Sequence, residues 1–101
     1  MYDMNHIKKL PTLGGKAPAA WQGFKDFDKA ALADGAIPKK YKELMAVAVA
    51  LTTQCPYCIE IHGKAARQAG ATDEELAEVT FVAAALRAGG SITHATHLFE
   101  G

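Results

Sequence analysis

The 101-residue sequence has two cysteines, one tryptophan and four prolines, no formal net charge, and no uncharged apolar run of the roughly 18 residues needed to span a bilayer. Each shortage excludes something. Two cysteines three positions apart are too few and too close to staple a secreted fold, so their spacing points to redox or metal chemistry in a reducing compartment. Eleven basic and eleven acidic side chains cancel, leaving no global field to draw the chain to a polyanion or an anionic membrane. The basic cluster Lys39, Lys40 and Lys42 falls in the first turns of a candidate helix, and no nucleic-acid or membrane partner is expected. The opening MYDMNHIKKLPTLGG lacks the charged region, apolar run and small-residue cleavage site of a secretory signal, which makes the cytoplasm the expected location.

What is present favours helices. Half of the residues are apolar and many are alanine, a composition suited to closely packed helices rather than to a sheet. The length predicts one domain. Residues 1–17, with Pro11, Gly14 and Gly15, read as a mostly irregular arm with room for one short helical turn and free to wrap a neighbour, ahead of a helical domain over 18–101. Pro18 opens a helix to about Ala33, with Trp21, Phe24, Phe27 or Asp28, and Ala31 at helical spacing. A second begins at Ile37-Pro38 and runs through KKYKELMAVAVALTT; a buried parallel strand over MAVAVAL competes, but alternating alanine and good helix formers favour helix. A third opens at Cys55-Pro56 and stops at Gly70, with Gly63 inside it suggesting a close approach. Thr72 and Glu75 form a capping-box pattern for a fourth, which should end at Gly89-Gly90. Ser91 then caps a last helix to about Phe99. The expected fold is all-α, a compact helical domain of five to six helices. The Ala/Val-rich helix and VTFVAAAL look too apolar for a monomer, so a homo-oligomer is expected.

The chemistry-bearing motif is Cys55-Pro56-Tyr57-Cys58 at a predicted helix start. Positions i and i+3 share a side of the helix, bringing the sulfurs within reach of a disulfide, and the unpaired amides of a first turn favour a thiolate. His62 lies one turn beyond Cys58 on the same face, where an imidazole can take a thiol proton directly or through water. Glu43 on the preceding helix reads either as a solvated residue or, if it faces the cysteine helix, as a carboxylate that orients His62.

These residues resemble the alkylhydroperoxidase D-like family within the carboxymuconolactone decarboxylase superfamily: Glu43, CPYC and His62 make up E-x11-C-x2-C-x3-H, most strongly matched from Ile37 to Gly70. The resemblance implies an all-helical trimer or hexamer acting as a thiol-dependent hydroperoxide reductase. It implies Cys58 as peroxidatic nucleophile, Cys55 as resolving thiol, His62 as proton acceptor and Glu43 as relay. Some peroxidatic members carry a histidine directly before the second cysteine; here Tyr57 stands there, its hydroxyl still able to hydrogen-bond. The implied electron donor is a dithiol such as a lipoylated protein, with no bound flavin, haem or metal required.

Several readings compete. The same dithiol suits a protein disulfide reductase or thiol electron carrier with weak action on peroxide. A lactone decarboxylase would leave the CxxC pair surplus. A zinc site would take Cys55, Cys58 and His62, with His94 or His97 as fourth ligand if the last helix folds back. Both cysteines could also be core residues of an interaction module. Trp21, Phe24 and Phe27 read as core or subunit contacts, and Gly14-Gly15 and Gly89-Gly90 as turns or caps rather than a phosphate loop.

Overall fold

Proline and capping residues set most of the helix starts. The computed structural model describes residues 3–101. They run through a 3-10 helix at Met4–Lys9, then α1 (Leu10–Lys16), α2 (Pro18–Leu32), α3 (Lys39–Thr53), α4 (Pro56–Gln68), α5 (Asp73–His94) and a closing 3-10 helix at Ala95–Leu98. The fold is all-helical, with no strand among the described residues. Pro11, Pro18 and Pro56 stand in first turns, where a missing N–H costs nothing. The capping box forms: Glu75 N–H donates to Thr72 Oγ1 (3.1 Å) and Thr72 N–H to Glu75 Oε1 (2.9 Å). MAVAVAL is helical, within α3.

Three local expectations are corrected. Residues 4–16 are helical rather than irregular: Asp3 caps the 3-10 helix by accepting the Asn5 amide at 2.9 Å, and Pro11 starts α1. This segment lies against α4 of its own chain, with Tyr57 Oη 3.4 Å from His6 Nδ1. Gly89 and Gly90 do not stop α5, which continues to His94 and absorbs the helix assigned to Ser91. A glycine ends a helix by turning left-handed, and among the described glycines only Gly70 and Gly101 do so. Gly63 faces open space: a Cβ there would meet nothing within 4 Å.

The core lies between α3, α4 and α5, where Leu44, Val47, Ala66 and Ala71 are buried and Leu51, Leu76 and Val79 pack against them. Ala66 is completely covered, so α4 approaches its neighbours closely at that point. Ties between elements are polar. Arg87 donates to the Thr52 carbonyl at 2.6 Å, joining α5 to the end of α3. The basic cluster is spent inside the fold: Lys42 Nζ donates to the Ala33 carbonyl (2.7 Å), Lys40 pairs with Glu75 (3.0 Å) and Lys39 with Glu43 (3.2 Å).

Helices α1 and α2 are joined at Ala17 and meet at Gly14, which is buried against the indole of Trp21; a Cβ at Gly14 would overlap that ring. Gly14→Ala should therefore displace Trp21 and cost about 1–3 kcal/mol by overpacking, read as a lower unfolding midpoint together with a shift in Trp21 fluorescence. Trp21 in turn stacks on Phe24, ring centroids 5.9 Å apart, while Phe27 points to solvent.

Candidate active site

The dithiol owes its position to the way α3 ends. Gln54 adopts a left-handed conformation (φ 56°, ψ 47°), and the Cys55 amide donates back to the Ala50 carbonyl at 3.1 Å. That reversal lets α4 begin at once on Pro56, with Cys55 as its N-cap. A non-glycine residue in this region costs roughly 1–2 kcal/mol, and such strain tends to gather at functional sites. The Cys55 sulfur accepts the Cys58 amide at 3.3 Å, and the two sulfurs lie 2.9 Å apart as free thiols, both half-buried.

Their surroundings separate the two thiols. The Cys58 thiol, the Cys58 amide and the Tyr57 amide all favour charge on Cys55 and hold it below the ordinary thiol range, against a smaller opposing effect of burial. Cys58 is pushed up to about 11 by its hydrogen bond with Cys55, by burial, by the charge of Cys55 and by the Asp28 carboxylate. Between the two titrations the pair therefore holds one proton. Thiolate absorbance should show one group titrating below 9.0 and a second only near pH 11, with alkylation at neutral pH falling first on Cys55. Two equal thiols titrating together would contradict this.

His62, one turn beyond Cys58, meets Glu43 from α3: its Nδ1 lies 2.8 Å from Glu43 Oε2. Glu43 is only 2 % exposed, and its other oxygen accepts from Lys39 Nζ at 3.2 Å, so the solvated reading of Glu43 fails. A carboxylate at Nδ1 fixes the tautomer that carries its hydrogen there and leaves Nε2 as a proton acceptor. His62, Cys55 and Cys58 line one cavity of about 820 Å³, bounded also by the N-terminal segment and α2.

The other residues divide. Tyr57 lines the same cavity and reaches His6. His94 accepts a place on its own helix, Nδ1 3.1 Å from the Gly90 carbonyl, and its ring lies 5.9 Å from that of His97. Among the described residues, no group of three His, Cys, Asp or Glu side chains is gathered as a metal site would require. Sequence reasoning missed His6, Lys25 and Lys29 on the cavity wall. The lysines carried a signal, since 21, 24, 25, 28 and 29 form one face of α2. His6 carried none, being 51 residues from Tyr57.

Comparison with known proteins decides the family. The model for the carboxymuconolactone decarboxylase family matches residues 18–101. The chain belongs to that family. It is 53 % identical over 98 residues to an uncharacterized protein of Paracoccus denitrificans named for the cox locus, covering 94 % of this chain and 88 % of that one. It is 42 % identical over 72 residues to an uncharacterized protein of Cupriavidus necator, covering 71 % and 64 %. A crystal structure of an apo carboxymuconolactone decarboxylase family protein from Legionella pneumophila aligns with TM-score 0.77 at 37 % identity, covering 89 % of this chain and 80 % of that one. A structure from Methanobacterium thermoautotrophicum aligns with TM-score 0.80 at 34 % identity, covering 85 % and 97 %. Among the described residues of this family member, no helix is long and apolar enough to cross a membrane.

Proposed function

We propose that the protein is a thiol-dependent hydroperoxide reductase working through the Cys55–Cys58 dithiol. The observation that carries this reading is the buried Glu43–His62 contact of 2.8 Å, which presents an imidazole acceptor to the cavity that holds both sulfurs. His62 Nε2 takes one proton from the dithiol, and the proton that remains passes between the sulfurs, 2.9 Å apart, so that the reacting form carries it on Cys55 as a hydrogen bond to the Cys58 thiolate. Cys58 attacks the distal peroxide oxygen; an S–O bond forms, the O–O bond breaks, and the alkoxide takes a proton from the imidazolium to leave as an alcohol. Cys55 then attacks the Cys58 sulfenic acid, closing the disulfide and expelling water. An external dithiol, such as a lipoylated protein, returns two electrons and two protons by exchange. The scheme draws on no bound flavin, haem or metal.

A second reading has its own support. The thiol held more acidic is Cys55, which suits attack on a partner's disulfide and a reductase role. Steady-state turnover with dihydrolipoamide as donor separates the two. Consumption of an organic hydroperoxide well above the donor's own rate supports the peroxidase. Fast reduction of a protein disulfide with background peroxide consumption would replace it with the reductase.

The working form in this proposal is a homo-oligomer, a trimer or hexamer. The radius of gyration is 16.9 Å and the longest extent 54 Å, against about 13 Å for a compact chain of this length. Phe81, Leu86 and Ile92 on α5 are each at least two-thirds exposed. Light scattering should give a mass of three or six chains, and a monomer at micromolar concentration would contradict it.

A further inference from the structure

The cavity beside the dithiol is larger and more apolar than a small peroxide requires. Its volume of about 820 Å³ falls within the ~300–1,000 Å³ typical of sites for small organic molecules. Ile7, Leu10, Trp21, Phe24 and Ile61 form an apolar wall, and Cys55 and Cys58 stand at one side of it. The polar residues on α2 are arranged unevenly. Lys25 and Lys29, one turn apart, both line the cavity; Lys29 has no ion-pair partner among the described residues, and Lys25 is engaged only with the Trp21 ring, 5.8 Å from its centroid. The lysines of α3 are tied to carboxylates or carbonyls, whereas this pair is uncommitted positive charge on the wall of an apolar chamber. Asp28 lies between them on the same face and also lines the cavity; its charge raises the Cys58 thiol, and the two lysines outnumber it as the place for an anion.

We propose that the cavity binds a hydrocarbon chain bearing a carboxylate, with the chain against Trp21 and Phe24 and the carboxylate at Lys25 and Lys29. Building on the hydroperoxide reductase reading, the substrate class is then the hydroperoxide of such a carboxylate, its peroxide presented to Cys58. Apolar burial supplies most of the affinity, and the lysines orient the molecule and favour an acid over its neutral ester.

The single tryptophan makes binding observable without turnover. A medium-chain saturated carboxylate, which has no peroxide, should saturate a change in Trp21 fluorescence of the reduced oligomer, and its methyl ester should bind roughly tenfold more weakly. Lys25→Met/Lys29→Met should remove that preference, leaving acid and ester alike, and added salt should weaken the acid selectively. Equal affinity of acid and ester in the wild type, or no saturable change with either, would overturn the assignment. Because these readouts use no hydroperoxide, a protein that binds the carboxylate but fails to reduce peroxide would sink the reductase reading and leave the occupant of the cavity in place.

Discussion

Glu43→Gln is expected to lower hydroperoxide turnover by roughly 10–100-fold, the range typical when a partner that orients a functional imidazole is altered. Glutamine can still accept the His62 Nδ1 hydrogen, but it cannot balance the charge of the imidazolium formed when Cys58 gives up its proton. Glu43→Ala should cost more, about 10²–10⁴-fold, because both the tautomer and the orientation of His62 are then lost. The alanine variant should also lose about 1–3 kcal/mol of stability, since Glu43 is buried and both of its oxygens are engaged. Lys39, about half exposed, can rehydrate. Rate-against-pH profiles and denaturant unfolding on both variants separate the two effects: a glutamine variant with full stability and a depressed rate places Glu43 in the proton path. A glutamine variant with wild-type rate would reduce it to a buried structural pair.

The largest effects belong to the cysteines, and they should be unequal. Cys58→Ser removes the attacking sulfur and should reduce peroxide consumption to background. Cys55→Ser should abolish multiple turnover yet leave one oxidation per chain, trapped as a Cys58 sulfenic acid. Its first oxidation at neutral pH should be at least as fast as in the wild type. Two of the causes that push Cys58 up to about 11 change with the second thiol: the Cys55 charge is lost, and the hydrogen bond to a thiolate becomes one to a neutral hydroxyl. Burial and Asp28 remain, so the Cys58 value should fall toward 9.0 without dropping far below it. Titration by mass spectrometry of alkylated protein checks the shift, and an unchanged Cys58 value would mean that burial rather than its partner sets it.

The helices that carry the site were readable because their signals are local. Pro56 fixes a helix start wherever it occurs, and the i, i+3, i+4 relations of Cys55, Cys58 and His62 follow from helix geometry alone. Glu43 was ambiguous for the opposite reason: YKEL looks solvated until α3 is laid against α4, and the contact that buries it spans 19 residues. The N-terminal segment reads as irregular in sequence because short helices have little intrinsic stability and form only where tertiary contacts support them. Gly14 beneath Trp21 and His6 beside Tyr57 supply that support here. Gly89-Gly90 misled in the other direction, since a glycine pair is compatible with a helix whenever neither residue turns left-handed. The unequal thiols were not legible, for they depend on which sulfur caps the helix and on Asp28 from a separate element.

Single-turnover oxidation of the fully reduced protein is the most direct test of the site's chemistry. Stopped-flow mixing with hydrogen peroxide and with an organic hydroperoxide, followed by mass spectrometry of the thiols, should show rapid formation of a 55–58 disulfide in the wild type and sulfenic acid on Cys58 alone in Cys55→Ser. Oxidation no faster than that of an ordinary free thiol would contradict the peroxidase account and leave the dithiol as a disulfide-exchange centre.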